Sequence, residues 1–297
     1  VGGAQFTHSF KKLWFMPSEL VAGVEYNHNY LNDVTLGYDH DVTQNVDIYS
    51  GYLQNEWRTN RWGFLVGARI DKHSLIYNAI VSPRANIRYN PSERLNFRLS
   101  YSTGFRSPQA YDEDFHVAVV GGERVVTVLA DGLKEESSQS LSASVDWYAT
   151  IGGVQTNVLF EAFYTDLADV FALRKLEEFD AKGNQVLERY NGSGATVWGM
   201  NLEAKAVWNK HLQMQMGVTY QRSRYKSPEY WSEDERVQPV KRMFRTPDLY
   251  GYATLKYNLT KRLTLSLSAT YTGSMLMQHL QGSGTDIDVA VETPSFF

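Results

Sequence analysis

Cysteine is absent from all 297 residues, which excludes disulfides and thiolate metal sites. No run approaches the roughly 18 apolar residues of a membrane-crossing helix. The 29 Lys and Arg against 33 Asp and Glu leave a net charge of -4. No basic block stands out, which argues against a nucleic-acid partner. A Gly-rich phosphate loop and a Ser nucleophile elbow are both missing. His211 sits in a short turn with no partner to act on, so no catalytic arrangement emerges and the chain does not read as an enzyme. A mean hydropathy of -0.39 and 21% charged residues resemble a soluble protein. They leave room for a membrane barrel, in which half of every strand faces water.

What the chain has is alternation. From Leu263 to Thr272 it reads L-T-L-S-L-S-A-T-Y-T, apolar at odd positions and hydroxyl or small at even ones. This period of two makes a strand with one greasy and one polar face. The pattern recurs from Leu95, Leu141, Met200 and Leu212, and the apolar face repeatedly ends in an aromatic. Such strands run near the roughly 9–11 residues that cross a bilayer at a tilt. The 19 Tyr and 7 Trp suit aromatic girdles at two interfaces. The fold class expected is all-β: an antiparallel transmembrane β-barrel in the outer membrane of a Gram-negative bacterium.

Short turns are expected at Met16–Glu19, Thr59–Arg61, Asn90–Glu93, Thr150–Gly153, Asn209–His211 and Asn258–Lys261, where Pro, Gly, Asn and Ser gather. Longer connections are expected at Leu31–Asn45, Lys72–Val81, Thr103–Gln139, Leu167–Ala195, Ser223–Asp248 and from Gly273 onward. Alternating short and long connections match periplasmic turns and extracellular loops. The tally is about twelve strands. Parity sends Leu95, Phe97, Leu99 and Tyr101, and Phe64, Val66, Ala68 and Ile70, toward lipid. It leaves Arg69, Asp71, Arg84, Arg98, Glu161 and Glu203 facing the lumen, where charges commonly pair across a barrel interior. The chain starts without Met or signal peptide and ends in V-E-T-P-S-F-F. It therefore reads as one partial barrel domain over 1–297, an internal fragment.

Between Ser100 and Gln139 the sequence contains Y-S-T-G-F-R-S-P (Tyr101–Pro108) and A-D-G-L-K-E-E (Ala130–Glu136). This resembles the paired boxes of TonB-dependent outer-membrane receptors, Y-S-x-G-F-R-A-P and N-P-x-L-K-P-E, with Ser107 in place of Ala and with the second box lacking its Asn-Pro and second Pro. Further family-like segments lie in the usual order: Tyr52–Trp57, Gly67–Asp71, Ser82–Tyr89 and Glu161–Val170. The resemblance implies a 22-stranded barrel around an N-terminal plug, with about twelve strands here and the plug domain absent from this sequence. It implies import of a ferric siderophore or similar iron complex, energised by the TonB complex through N-terminal segments that this sequence lacks. Outer-membrane lipid and lipopolysaccharide are the other expected partners. Heme and cobalamin receptors of the same family, a passive porin and a soluble β-sandwich or adhesin stand as alternatives.

The candidate ligand-binding residues lie in two loops. Arg106, Tyr111, His116 and Arg124 fall in Thr103–Gln139, and a His between the two boxes is what the resemblance to heme importers implies as an iron ligand. Tyr230, Trp231, Arg242 and Arg245 fall in Ser223–Asp248. Arginine with aromatic residues suits an anionic, aromatic iron chelate. No resident metal or cofactor is expected, iron being carried by the substrate. Met275, Met277 and His279 offer soft ligands, but their odd parity continues the lipid face of the preceding strand. Asp39, His40 and Asp41 read as a solvated turn, because adjacent residues do not converge on one ion.

Overall fold

The computed structural model describes residues 1–35, 40–109, 118–120, 123–209, 211–231, 237–279 and 289–297. Its main body is one antiparallel sheet. Along the sheet the order is β1 (Gly2–Leu13), β2 (Met16–Thr35), β3 (His40–Arg58), β4 (Trp62–His73), β5 (Ile80–Ser92), β6 (Leu95–Arg106), β9 (Glu136–Ile151), β10 (Val154–Ala168), β13 (Ala195–Trp208), β14 (Leu212–Glu229), β16 (Leu249–Asn258) and β17 (Thr264–Thr272). The short β15 (Val240–Arg242) pairs with the outer part of β14. Twelve strands thus form the path of the sheet, the number expected.

Three consequences of the sequence build this sheet. Each strand alternates, so a single register fixes every side chain to one face. The registers are consistent: Leu99 opposes Ile87 and Ala143, Phe160 opposes Val145 and Leu202, and Leu255 opposes Met214's neighbourhood through a direct pair with Met214 and Leu267. Tight turns close the hairpins, as at Gly152 and Gly153, both with positive φ, a conformation that favours glycine in two-residue hairpin loops.

The apolar face is bounded by aromatics. At the short-turn end Trp57 stacks with Trp14 and Phe15, Trp62 with Phe64 and Tyr89, and Tyr89 with Phe97. Near the loop end Tyr26 meets Tyr49, and Trp198 meets Tyr220. Trp198 and Trp208 stand on the same face of β13 with Met200, Leu202, Ala204 and Ala206 between them. That separation is about 33 Å along the strand, or about 25 Å in height at a barrel tilt, the thickness of an outer-membrane apolar band. The apolar side chains between are exposed, Leu99 at 45% and Leu267 at 69%. Among the described residues of the sheet, few apolar side chains are buried, Val46, Trp57 and Ala195 being examples.

The structure corrects several boundaries. The first turn falls at Trp14–Phe15 rather than Met16–Glu19; a register shift between Phe10 and Leu13 admits Pro17 to the start of β2, where a missing N–H is tolerated. β2 and β3 extend through most of the expected loop 31–45, pairing as far as Thr35 with His40. Their outer segments carry polar residues on both faces, as at Asn27–Asn29 and Asn32–Asp33, so the period-two signal fades there while the ladder continues. The expected continuation of β17 through Met275 and Met277 is replaced by β18 (Leu276–His279), which pairs with β19 (Val289–Glu292) as a separate two-stranded sheet. Asp39 lies outside the described residues.

Candidate functional site

The two longest connections fold together at the loop end. β7 (Ala118–Val120) and β8 (Glu123–Leu129), from the connection between β6 and β9, join β11 (Phe171–Phe179) and β12 (Gln185–Asn191), from the connection between β10 and β13. The junction is a parallel pairing of β12 with β8, Gln185–Arg189 against Val125–Leu129. Parallel partners so far apart in sequence leave no local signal, and sequence reasoning missed this sheet. The β-branched run E-R-V-V-T-V-L was the only hint.

Asn191 clamps the two connections. Its Nδ2 donates to the carbonyls of Lys134 (3.1 Å) and Asp169 (2.8 Å), and its Oδ1 accepts from the backbone N–H of Lys134 (2.8 Å). Lys134 belongs to the second family-like box, so that box here anchors a loop through its backbone. Beneath the clamp, Glu136 accepts a short hydrogen bond from the Phe171 N–H and lies 3.8 Å from the Arg106 guanidinium. Arg106 and Arg189 both place their guanidinium groups over the Phe171 ring, at 5.4 and 6.0 Å. Arg189 is almost fully buried. Arg174 adds a third cation, over Tyr190 at 4.9 Å and paired with Glu188 at 2.5 Å; burial pushes the Tyr190 phenol above its usual pKa. The hairpin tip is fixed by Asp180, whose carboxylate accepts from the N–H groups of Lys182 and Asn184 and is held below the usual range by those bonds, that to Asn184 foremost.

The second loop builds a smaller cluster. Trp231 packs edge-on against Phe244 and donates its indole N–H to the Gln238 carbonyl at 3.2 Å. Arg242 is paired with Glu292 and lies 3.9 Å from Asp248, which is 3.6 Å from Arg222. Tyr230 is 72% exposed. Arg245 has positive φ and its N–H donates to the Leu276 carbonyl. Of the sequence-derived candidates, Trp231 and Arg242 therefore share one region, and Arg106 belongs to the clamp. Tyr111 and His116 lie outside the described residues. Arg124 has its backbone in β8, opposite Val119.

The polar face carries the six charged positions expected there. Arg69 is fully engaged: Nε to Asp71 (2.8 Å), Nη1 to Glu25 (3.1 Å) and Nη2 to Ser50 (2.7 Å), while Ser50 also donates to Asp71 (2.6 Å). Glu161 accepts from Asn201, which in turn accepts from Thr219. Arg84, Arg98 and Glu203 fall on the same face by register with Gly67, Arg88 and Gly217. His73, not singled out in the sequence, closes this face at the loop end. It is 0% exposed, and its Nδ1 accepts from the Leu75 N–H at 3.1 Å.

Solved structures share this architecture. The siderophore receptor PirA of Acinetobacter baumannii superposes with a TM-score of 0.69 at 16% identity, covering 99% of this chain and 46% of its own. The ferric enterobactin receptor PfeA of Pseudomonas aeruginosa, solved with enterobactin, gives 0.69 at 15% identity over 99% and 45%. The iron transporter FrpB of Neisseria meningitidis gives 0.67 at 15% over 99% and 46%. The chain thus spans less than half the length of these structures. No curated protein sequence matches it significantly. Residues 2–297 match the family model described as TonB dependent receptor-like, beta-barrel, and the chain belongs to that family.

Proposed function

We propose that this chain is part of the wall of an outer-membrane receptor that imports an anionic iron complex, of siderophore type, with energy from the TonB complex. The apolar face meets lipid, the polar face lines the lumen, and the loop end faces the cell exterior. The observation that carries the ligand class is the joined loop sheet, where Arg106, Arg189 and Arg174 are set against Phe171 and Tyr190. Guanidinium groups on aromatic planes suit ligands that are both anionic and aromatic. The similar structures named as siderophore and ferric enterobactin receptors support the same reading.

Arg106 and Arg189 act here by holding the loops in one shape, both against the Phe171 ring. Arg242 and Trp231 stand across the loop end as further contacts. The test is iron-limited growth of a receptor-deleted strain carrying full-length variants, with a catecholate siderophore or heme as sole iron source. The reading expects Arg242→Ala and Trp231→Ala to impair growth on the siderophore more than His116→Ala does. Loss of growth on heme in His116→Ala, with normal growth on siderophore, contradicts it in favour of a heme receptor. Open conductance of the full-length protein in planar bilayers contradicts it in favour of a porin.

A further inference from the structure

We infer that the outward side of β14, just beyond the aromatic girdle, binds a phosphate group of lipopolysaccharide through Arg222 and Arg224. Parity puts both arginines on the lipid-facing side. On β14 the even positions Leu212, Met214, Met216, Val218 and Tyr220 form the apolar face, and Arg222 and Arg224 continue it. Register fixes their height. Arg222 stands directly opposite Trp198, at the upper end of the apolar band. Arg224 stands opposite Thr196, about 7 Å farther along the strand. The two cations therefore sit where the hydrocarbon ends and the headgroups of the outer leaflet begin. Their outward direction keeps them apart from the lumen and from anything that fills it.

The charges around them do not balance. The Arg222 Nε donates to the Tyr220 hydroxyl at 2.8 Å, and its guanidinium lies 5.7 Å from the Tyr220 ring centre, so it is held against the girdle. Its Nη1 is 3.6 Å from Asp248, a carboxylate that also lies 3.9 Å from Arg242, and Arg242 is paired with Glu292. Arg224 faces Arg242 across the β14–β15 pair, and like charges in that position destabilise a ladder. Among the described residues Arg224 has no hydrogen bond or ion pair of its own. Asp166, the acid level with Thr196 on β10, is taken by Lys226 at 2.9 Å. Arg222, Arg224 and Arg242 thus stand against Asp248 and Glu292 alone, and the unpaired cation has lipid-face parity. A phosphate accepts paired N–H bonds from a guanidinium fork. A lipid supplies that phosphate better than free solution does. Its acyl chains can cover the exposed Met200, Leu202, Met216 and Val218 below, which inorganic phosphate cannot. The site rests on the membrane placement proposed above and not on the nature of the cargo.

The experiment is native mass spectrometry of the detergent-purified full-length receptor, titrated with lipid A, the phosphorylated anchor of lipopolysaccharide, and separately with lipid A stripped of its phosphates. Wild type is expected to hold the phosphorylated lipid about tenfold or more tightly than the stripped one, the scale of one charge-assisted bond. Arg222→Gln with Arg224→Gln is expected to abolish that preference and to leave binding of the stripped lipid unchanged. Arg224→Lys, which keeps the charge, is expected to retain most of it. Equal binding of the two lipids by wild type, or an undiminished preference in the double variant, overturns the site. Inorganic phosphate at a concentration equal to that of lipid A is expected not to displace it, and displacement would overturn the lipid as occupant. Thermal unfolding of Arg224→Gln without lipid A supplies the second readout. Relief of the opposition to Arg242 should leave this variant at least as heat-stable as wild type, and a marked loss would show that Arg224 is structural and overturn the proposal. Growth on iron chelates enters none of these readouts, so failure of the import reading leaves them standing.

Discussion

The Tyr52 ring lies across Gly23, in the space where a Cβ on that residue would stand, and its hydroxyl donates to Gln5 at 2.8 Å. The register aligns all three, Gln5 with Gly23 and Gly23 with Tyr52. One aromatic side chain thus spans three strands of the polar face. The arrangement recurs: the Tyr252 ring comes within 2.6 Å of a Cβ built on Gly217, and Phe163 within 2.7 Å of one on Gly199. Gly23→Ala should push the Tyr52 ring aside and break its bond to Gln5, lowering stability by about 1 kcal/mol. Tyr52→Phe removes the same bond, so the two substitutions should be less than additive in the thermal unfolding of the full-length protein. Full additivity would show that the ring is not held this way.

The two faces of β6 make a sharper test. Leu99 is exposed on the apolar face, whereas Ser100 faces the polar side and accepts from the Asn86 amide at 2.5 Å. Leu99→Arg should impair assembly by about 2–4 kcal/mol near the bilayer midplane. Ser100→Arg should be tolerated far better. The measurement is the fraction of folded receptor in outer-membrane preparations, and equal loss in the two variants would mean that the faces are assigned the wrong way round.

Face assignment was legible in the sequence because a period of two can be read residue by residue, as in L-N-F-R-L-S-Y. The strand path and most short turns followed from it. Two features escaped. β2 and β3 continue to Thr35 and His40, in a region where polar residues on both faces leave no hydrophobic period to read. The loop sheet depends on Gln185 finding Val125 across a whole hairpin of the main sheet, a non-local pairing that no window of sequence reveals. The candidate site was legible in composition, as arginines and aromatics in two loops, but not in arrangement. The position of Arg106 points to a ligand contact, and the structure shows it also pinned to Glu136 and Phe171.

Asn191→Ala should release the clamp between the two connections. Three hydrogen bonds to backbone groups of Lys134 and Asp169 are lost, at about 1 kcal/mol each. Limited proteolysis of intact cells should then cut faster after Lys134 and Lys182, while the heat stability of the membrane-embedded part stays unchanged. Unaltered proteolysis would show that the β8–β12 pairing holds the loops without the clamp.

His73 supplies a pH dependence. It lies beyond Lys72, where the apolar band of β4 has ended, and burial holds its imidazole below the ordinary range. Burial is the largest effect; the hydrogen bond with Gln109 and the charge of Asp71 favour protonation, and Lys72 opposes it. A histidine with a depressed pKa stabilises the folded form above its unfolded pKa, and that stability is lost as pH falls through about 6.5 and below. Hydrogen exchange at Leu75 and Ile76 should therefore quicken at mildly acidic pH. His73→Gln should flatten that dependence. A wild-type exchange rate that, after correction for intrinsic chemistry, does not change between neutral and acidic pH would contradict a neutral buried His73.

The central claim is that this sheet crosses the outer membrane with its short turns inside and its joined loops outside. These 297 residues contain no cysteine, so single-cysteine labelling, with any cysteine elsewhere in the full-length protein replaced by Ser, is the most direct test. In intact cells expressing the full-length protein, Ala181→Cys at the tip of the β11–β12 hairpin should react with a membrane-impermeant maleimide. Ser92→Cys, at the turn between β5 and β6, should react only after the outer membrane is permeabilised. Labelling of Ser92→Cys in intact cells, with Ala181→Cys protected, would contradict the account.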